Sequence, residues 1–341
     1  MIPERELKNR IKKIRELANT DAVLISKPKN LLYITGIESC RLLLTQDSCV
    51  MFTSEPDYKK INLPGIFDVE LYEKNKIKNY INKLKPGKLG IENIDIKSYE
   101  KLRENIKPGI IVSVSDAVEK ARMIKSGYEI EMLKKSAAIA MKGMEKAYEV
   151  ITPGIFEIAA AAEIEYEIRK NGSETPPFEC GMLLASGENA SKIHGFPAQK
   201  KIKEGELVVV DLGARYGNYY SDMTRTIPAG KLKQNSEQAK VYEFIKNLQQ
   251  ELIDWIEIGM ESSDVHKFAE EKIKKFGYKF YHGIGHGIGL NIHEMPHFRD
   301  AKTKLCKHNV FTIEPGIYTN KFGVRFEDMV LLTGKGSKIL T

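Results

Sequence analysis

The stretch that decides the fold is GELVVVDLGARYGNYYSDMTRTIP, residues 205–228. The valines of Val208–Val210 predict a buried strand, Gly217 marks a turn, and a second strand returns after it. This hairpin places Asp211 near the end of one strand and Asp222 on the other. Aspartate is disfavoured in strands, and a buried carboxylate needs a cation, a metal or several hydrogen-bond donors. The two acids therefore point to a site.

A second stretch, VFTIEPGIYTNKFGVRFEDMVLLT at 310–333, repeats this arrangement. An apolar strand leads to Glu314, a turn follows, and the returning strand carries Glu327. Structural salt bridges, for example between an aspartate of the first hairpin and Arg215 or Arg225, could account for one acid pair but not easily for both. If the fold brings both pairs together, the four carboxylates repel one another unless a multivalent cation lies between them.

The third stretch, YHGIGHGIGLNIHEMPH at 281–297, contains two misleading patterns. Its alternating glycines never form the G-x-G-x-x-G of a nucleotide-binding loop. The segment from His293 to His297 fits the zinc motif H-E-x-x-H, which needs a continuous helix. Pro296 disfavours that helix, because it lacks an N–H and clashes with the preceding turn. The segment is predicted to be a strand and not a zinc-protease helix.

In a strand, His282 and His286 would share one face, and the intervening glycines would leave the opposite face bare. Four carboxylates and one imidazole form an oxygen-rich ligand set. Such a set suits two divalent ions of the Mn, Co, Fe or Zn kind better than a single tetrahedral zinc. Two ions that share carboxylates would activate a water molecule as the nucleophile.

Composition limits the class of protein. The 341 residues are 42% hydrophobic and 29% charged, which predicts two globular domains and excludes disorder and a small disulfide scaffold. No apolar run is long enough to span a membrane, and Met1–Arg10 is too charged for a signal peptide, so a cytoplasmic location is expected. The net charge of +7 is spread along the chain, so no nucleic-acid partner is expected.

The histidines and cysteines are distributed unevenly. No histidine precedes His194, and four of the seven lie within the sixteen residues that end at His297. His266 and His308 lie among charged residues and are predicted to be on the surface. The four cysteines form no C-x-x-C pair and are predicted to be buried, reduced thiols.

Hydrophobic periodicity divides the chain into an α/β N-terminal domain, 1–121, and a second domain, 122–341. Helices are predicted at 5–18, 72–85, 119–150, 156–170 and about 236–276. Short strands of the first domain are predicted at Ala22–Ile25, Leu31–Ile34, Arg41–Thr45, Cys49–Phe52, Leu89–Ile91 and Ile110–Val114.

These motifs, in this order, resemble the pita-bread metallopeptidases, the family of methionine aminopeptidases, prolidases, aminopeptidase P and creatinase. The resemblance rests on VVVDLGARYGNYYSDMTRT, HGIGHGIGLNIHE, FTIEPGIY and GVRFEDMVLLT, with LLASGENASKIHGFP and RMIKSGYEIEMLKKSAAIA upstream. It implies a creatinase-like α/β domain followed by a pita-bread catalytic domain. The additional N-terminal domain, with its NLLYITGI segment, favours the prolidase and aminopeptidase P branch.

The resemblance also implies roles for individual residues. The ligands of two divalent ions per subunit would be Asp211, Asp222, His286, Glu314 and Glu327. Glu314 would also take the proton from the attacking water, and His194 and His293 would contact the scissile carbonyl and the leaving nitrogen. His282 and Arg325 would lie behind the ligands, although a packing histidine and a structural Arg–acid pair are equally compatible with the sequence.

The implied activity is hydrolysis of the bond between an N-terminal residue and proline in short proline-containing peptides, by a homodimer. Some prolidases place an arginine after the H-E-x-P stretch to bind the carboxylate of a dipeptide. Here that position is His297, and Arg299 follows two residues later. Either residue could bind the carboxylate instead, and the departure favours cleavage of longer Xaa-Pro peptides over strict dipeptidase activity. The alternatives are an aminopeptidase of other specificity, a creatinase-like hydrolase and a non-catalytic binding protein that retains the fold.

Overall fold

The computed structural model describes residues 2–59, 63–73, 75–299 and 301–341. Within it the chain forms two compact units, Met1–Arg122 and Met123–Thr341. Among the helices of these described residues, none is long and apolar enough to cross a membrane. Both units combine helices with sheets, which confirms the predicted mixed α/β fold class.

The first unit is a six-stranded mixed sheet with helices. Its strands are β1 Ala22–Ile25, β2 Cys40–Thr45, β3 Cys49–Thr53, β4 Asp68–Leu71, β5 Lys88–Ile91 and β6 Ile110–Ser113. Its helices are α1 Glu4–Ala18, α2 Pro28–Thr35, α3 Glu55–Tyr58, α4 Lys76–Leu84, α5 Ile96–Asn105 and α6 Ser115–Met123, whose last residue belongs to the second unit. The sheet order is β4-β3-β2-β1-β5-β6. The pairs β1–β2 and β2–β3 are antiparallel, and the pairs β3–β4, β1–β5 and β5–β6 are parallel.

Most elements of the first unit lie where periodicity predicts them, but Leu31–Ile34 is not a strand. It belongs to helix α2, which begins with Pro28 in its first turn and ends at Gly36 in the left-handed conformation. All four residues are buried, and a short, fully buried apolar run does not distinguish a strand from a helix. The proline and the glycine are the signals that identify the helix.

The second unit contains four long helices, α7 Gly127–Val150, α8 Glu157–Lys170, α9 Glu237–Trp255 and α10 Ser262–Lys275. The predicted helical segment 119–150 is divided between α6 and α7, because Ser126 and Glu129 form a reciprocal capping box that begins a new helix. The predicted stretch 236–276 is two helices, separated by a break that contains Gly259 at φ 93°.

The strands of the second unit form two main sheets and two short hairpins. They are β7 Leu183–Ser186, β8 Leu207–Leu212, β9 Arg215–Tyr216, β10 Tyr219–Tyr220, β11 Met223–Pro228, β12 His286–Gly287, β13 Glu294–His297, β14 Val310–Ile313, β15 Gly316–Tyr318, β16 Gly323–Arg325, β17 Asp328–Thr333 and β18 Gly336–Ile339. The sheet orders are β11-β8-β7 and β13-β12-β14-β17-β18, and β9 pairs with β10 as β15 pairs with β16. Apolar residues of α7 and α8 pack on the first sheet, and those of α9 and α10 pack on the second.

The two acidic hairpins are confirmed. Strand β8 pairs antiparallel with β11, and β14 pairs antiparallel with β17. In the first hairpin the turn lies at Gly217 and Asn218, which both have positive φ as a two-residue hairpin turn requires. The residues that follow His293 are also extended, as β13 Glu294–His297, so the helix that H-E-x-x-H requires is absent from this described segment.

Two of the alternating glycines, Gly285 and Gly287, allow close approach of backbone from neighbouring segments. A Cβ at Gly285 would clash with the carbonyl oxygen of Thr312, and one at Gly287 would clash with that of Met295. Only Gly287 of the two lies in a strand, because β12 has just two residues. The prediction that His282 and His286 share a strand face is therefore wrong, since His282 lies before the strand.

Two predictions of side-chain exposure or burial also need correction. His266 is buried on α10 and packs near Phe280, with ring centroids 5.4 Å apart. Its charged sequence neighbours face outward on the other sides of the helix, so they did not indicate its burial. Cys40 and Cys49 are buried as predicted, but Cys180 is exposed and Cys306 is half-buried, and all four thiols are free, as expected.

Candidate metal centre and active site

Four carboxylates meet where the two acidic hairpins meet. Asp211 lies at the end of β8, and Asp222 immediately precedes β11. Glu314 follows β14, and Glu327 immediately precedes β17. Backbone hydrogen bonds in both directions between Thr224 and Glu327 join the two hairpins at this point. The structure therefore brings both predicted acid pairs into one cluster.

His286 lies among these acids. Its Nε2 is 3.7 Å from Asp222 Oδ2, 3.6 Å from Glu314 Oε1 and 4.0 Å from Glu327 Oε1. Its Nδ1 is 3.2 Å from the carbonyl oxygen of Gly287 and donates to it, which leaves the lone pair on Nε2 directed at the acids. Burial lowers the pKa of His286 to about 3, so the ring is neutral at physiological pH, as a metal ligand must be.

The acids carry the electrostatic signature of a cation site. Burial, followed by the charges of the neighbouring acids, raises the pKa of Asp222 and of Glu314 well above their usual values. Burial and the charge of Asp211 raise the pKa of Glu327 to about 8. Ligand atoms of Asp222, His286 and Glu327 lie within 4.8 Å of one another. One buried oxygen each of Asp211 and Asp222 has no hydrogen-bond partner in the described part of the chain.

These observations fit bound divalent metal. Uncompensated carboxylates in a buried cluster are costly, and a cation that they share removes both the repulsion and the unsatisfied oxygens. The donor set of carboxylate oxygens and one imidazole is of the type that Mn, Fe, Co and Zn accept.

Arg325 connects the cluster to the surrounding elements. Its Nη2 donates to Asp211 Oδ2 at 2.5 Å and its Nε to Thr224 Oγ1 at 3.1 Å. Its Nη1 donates to the Tyr318 hydroxyl at 2.6 Å and to the carbonyl oxygen of Ile193 at 3.0 Å. Arg325 therefore forms a structural Arg–acid pair and also lies behind the cluster, because its partner Asp211 is one of the four clustered acids.

His282 also lies against the cluster. Its Nδ1 donates to the Gly283 carbonyl at 2.8 Å and is 3.6 Å from Glu314 Oε2, while its Nε2 is 3.3 Å from the Tyr318 hydroxyl. Burial lowers the pKa of His282 to about 3. The neutral ring is held by Gly283 and Tyr318, and it lies beside the Glu314 carboxylate without adding charge.

The cluster forms the floor of a cavity of about 620 Å³. His194 and His293 line this cavity and are both exposed, and the His293 ring meets the His286 ring edge to face, with centroids 4.1 Å apart. The remaining wall is mainly apolar and consists of Phe178, Leu183, Ile193, Phe196 and Ile292. A ligand in this cavity would contact two imidazoles, the acids and an apolar surface.

His297 and Arg299 do not belong to this cavity lining. Both are exposed, and the carbonyl oxygen of His297 accepts a hydrogen bond from Ser262 Oγ at 2.7 Å. Arg299 lies beside the lining, because a Cβ built on Gly283 would be 3.9 Å from the Arg299 Cβ. The structure thus separates these two residues from the cluster and leaves Arg299 near its edge.

Sequence reasoning missed a buried ion pair under the His293 segment. Lys125 Nζ lies 2.5 Å from Glu294 Oε1, and the side chain of Lys125 is fully buried. Glu294 is the acid of the misleading H-E-x-x-H pattern, and its partner lies 169 positions away in sequence. Nothing in a chain with 53 Lys and Arg distinguishes Lys125, so no sequence signal could have found the pair. Tyr318 and Thr224, which hold Arg325, were missed for the same reason.

Comparison with known proteins agrees with this geometry. Residues 131–334 match the metallopeptidase family M24, and residues 8–124 match the creatinase/prolidase N-terminal domain. An Xaa-Pro dipeptidase of Pyrococcus horikoshii is 36% identical over 98% of this chain and 97% of its own. The crystal structure of a prolidase from the same species superposes with a TM-score of 0.88 at 35% identity over 98% of both chains.

An X-Pro aminopeptidase from Thermotoga maritima is also similar, with a TM-score of 0.84 at 28% identity over 96% of this chain and 97% of its own. The N-terminal match confirms the predicted creatinase-like domain, and the C-terminal match confirms the predicted catalytic fold. Divalent-metal use is general in the matched family, in agreement with the acid cluster. The chain belongs to metallopeptidase family M24.

Proposed function

We propose that this protein hydrolyses the peptide bond between an N-terminal residue and proline. The observation that carries the proposal is the buried cluster of four carboxylates and His286 on the floor of the cavity. Xaa-Pro dipeptidases are also among the relatives that match almost the whole chain. Short proline-containing peptides are the expected substrates, because the cavity of about 620 Å³ holds a few residues at most.

Asp211, Asp222, His286, Glu314 and Glu327 would hold two divalent ions per subunit, of the Mn, Co, Fe or Zn kind. Five ligand residues exceed the needs of one tetrahedral ion, and four of them bring negative charge that two divalent cations balance. When bound, the ions would lower the pKa of water and polarise the scissile carbonyl. Asp222 Oδ2 and Glu327 Oε1 lie 3.7 Å and 4.0 Å from His286 Nε2, so these two acids would hold the ions together with that imidazole.

Glu314 is the residue proposed to move the proton. Its carboxylate lines the cavity, 3.6 Å from both His282 Nδ1 and His286 Nε2, beside the acids that would hold the metal ions and the attacking water. It would accept the proton of that water and deliver it to the leaving nitrogen of proline. A base that is held in place beside the nucleophile contributes to the rate through proximity as well as basicity.

His194 and His293 would act on the substrate from the rim of the cavity. An imidazole N–H directed at the scissile carbonyl stabilises the negative charge that develops on its oxygen. The second imidazole would contact the leaving nitrogen. The apolar wall formed by Phe178, Ile193 and Phe196 would exclude water from these contacts and receive the apolar parts of the peptide.

Arg299 is proposed to bind the C-terminal carboxylate of a dipeptide from the edge of the cavity. Cleavage of longer Xaa-Pro peptides is the second candidate, favoured by the exposure of His297 and Arg299, which leaves this side open to a longer chain. The similarity to an X-Pro aminopeptidase supports the same candidate. The two activities differ in whether a carboxylate or a further peptide bond lies at that edge.

The test measures metal content and cleavage together. We expect the purified protein to bind Mn²⁺ or Co²⁺ and to cleave Ala-Pro, and we expect Arg299→Ala to raise KM for Ala-Pro more than for Ala-Pro-Gly. Chelation with EDTA should abolish activity, and added metal should restore it. A protein that binds no divalent metal, or that cleaves neither peptide when loaded, contradicts the proposal. Cleavage of Ala-Pro-Gly alone would select the second candidate.

A homodimer of two-domain subunits, divided near residues 121 and 122, is part of the same proposal. The division of internal contacts between Met1–Arg122 and Met123–Thr341 supports this boundary. Light scattering coupled to size exclusion should give twice the 38.7 kDa mass of one chain. A mass of one chain at assay concentrations would contradict the dimer.

A further inference from the structure

The segment 186–198, SGENASKIHGFPA, carries His194 into the cavity. His194 is exposed, and no side chain or backbone group among the described residues forms a hydrogen bond with its ring. The position of the imidazole therefore depends on the backbone that carries it. Arg325 holds this backbone at one point next to the ring, the carbonyl oxygen of Ile193. The contacts that fix the rest of the segment therefore determine the position of the His194 ring in the cavity.

Glu157 joins the two ends of this segment. It is the first residue of α8 and is completely buried. Its Oε1 accepts hydrogen bonds from the backbone N–H of Ser186 at 2.8 Å and from the Ser186 hydroxyl at 2.6 Å. Its Oε2 accepts from the backbone N–H of Ala198 at 3.1 Å and from Asn189 Nδ2 at 3.1 Å. One carboxylate thus joins Ser186 and Asn189, near the beginning of the segment, to Ala198 at its end.

A carboxylate is the group that this place requires. Every group within hydrogen-bond distance of Glu157 is a donor. The Ser186 hydroxyl is one of them, because its oxygen accepts from Lys200 Nζ at 2.5 Å and its own proton is therefore directed towards Glu157. A glutamine would turn an NH₂ group against at least one of these donors. The charge is balanced by Lys200, 3.9 Å away, and by the N-terminus of α8. Such a network holds its members rigidly only when it is fully satisfied.

We propose that Glu157 is a positioning residue for His194, and that its carboxylate sets the place of that imidazole at the scissile bond. This inference rests on the proposed function, since it assigns to His194 a contact with the substrate. Glu157 lies on a helix of the scaffold and does not line the cavity. Its effect on the reaction would therefore pass entirely through the 186–198 segment.

The first test is Glu157→Gln, with Glu92→Gln as its matched control. Glu92 is equally buried and also accepts hydrogen bonds from backbone and amide donors, those of Ser26, Lys27 and Asn30, but it belongs to the first unit. We expect Glu157→Gln to lower kcat roughly 10- to 100-fold, the effect of a displacement near 1 Å. KM, bound metal and the circular dichroism spectrum should change little. Glu92→Gln should leave kcat within about threefold of the wild type, the scatter of such assays.

The second test separates positioning from a merely structural role. In a His194→Ala background, Glu157→Gln should change kcat less than about threefold, because a residue that acts through His194 has nothing left to position. If the two effects multiply instead, Glu157 does not act through His194 and the inference is wrong. Asn189→Ala, which removes a half-buried donor to the same carboxylate, repeats the cycle with less risk to folding.

Failure of this inference and failure of the proposed function give different results. If wild-type protein loaded with Mn²⁺ cleaves no Xaa-Pro peptide, the proposed function fails before any variant is compared. If the wild type is active and Glu157→Gln retains full kcat, only the positioning role is wrong. A folded, metal-binding Glu157→Gln variant with low kcat that is independent of His194 would likewise overturn the inference alone.

Discussion

The hairpin at 207–228 and the hairpin at 310–333 share one plan and differ in how their charges are balanced. Each places one acid at the end of the outgoing strand and another immediately before the returning strand, and each extends into a shorter hairpin beyond. The first supplies two aspartates and the second two glutamates. The acids from both reach His286, so neither hairpin forms the site alone.

Each hairpin also contributes an arginine that pairs with an aspartate of the other hairpin. Arg325 of the second hairpin donates to Asp211 of the first at 2.5 Å, and Arg225 of the first donates to Asp328 of the second at 2.5 Å. The Arg325 pair is buried and touches the acid cluster, whereas the side chain of Arg225 is 20% exposed and lies away from the cavity. The two ion pairs therefore have different roles: Arg325–Asp211 belongs to the site, and Arg225–Asp328 joins the two sheets.

This difference shows that the sign and number of charges in a hairpin do not indicate which of its acids belong to the site. Asp328 and Glu327 are adjacent in sequence, yet Glu327 faces His286, and Asp328 accepts hydrogen bonds from Arg225 and Gln249. Successive residues of extended chain point to opposite sides. Alternation along the strand selects which acid belongs to the site.

The largest expected effect is the loss of one acid from each hairpin. We expect Asp222→Asn and Glu327→Gln each to lower kcat/KM roughly 1,000-fold or more, because each removes a proposed metal ligand and, with the metal, several kcal/mol of charge stabilisation. Bound metal should fall in both, as measured by mass spectrometry of the purified protein. Asp328→Asn is the control and should retain bound metal. If only one of the two hairpins matters, the shared site is refuted.

The two arginine–aspartate pairs give the next largest effect. Arg325→Met should destabilise the metal-free protein by about 3–5 kcal/mol, because it leaves Asp211 buried without its partner beside three other acids. Arg225→Met should cost less, about 1 kcal/mol, because Asp328 keeps the hydrogen bonds from Gln249 and Thr341, whereas Asp211 has no other donor to that oxygen among the described residues. Urea unfolding in EDTA measures both free energies. Equal costs for the two variants would show that these remaining hydrogen bonds do not distinguish the pairs.

The smallest effect is the pH dependence of the metal-free protein. The pKa of Glu327 is raised to about 8, so the folded state keeps a proton that the unfolded state releases. Stability present below the usual pKa of 4.5 is therefore lost as pH rises through about 8. The pKa values of His282 and His286 are lowered from 6.5 to about 3, so they add no change above pH 6.5. In EDTA, we expect Tm to fall between pH 6.5 and pH 8.

Mn²⁺ should reverse this trend, because metal binding replaces the protons on the acids and strengthens as pH rises. Differential scanning calorimetry of the two forms over the same pH range makes the comparison. Glu327→Gln, which removes one of the three acids with a raised pKa, should reduce the fall in the metal-free protein. A Tm that rises with pH in EDTA would contradict the raised pKa values.

Much of the site was predictable because its signals are local. Asp211 after three valines, the glycine turn between the strands and the position of Glu314 after an apolar strand all follow from strand alternation and turn chemistry. Pro296 was enough to reject the H-E-x-x-H helix. Errors arose where local signals are ambiguous, as at Leu31–Ile34, or where burial depends on distant packing, as at His266.

The sequence by itself determined the two hairpins, their four acids and the histidine-rich segment, since these follow from the periodicity of a few residues. Only the tertiary structure decided that the acids meet at His286 and that Arg325 pairs with Asp211 across 114 positions. It also decided the Lys125–Glu294 pair across 169 positions and the hold of Glu157 on the segment of His194. A buried polar group requires some partner, but which partner it finds depends on how the sheets and helices pack.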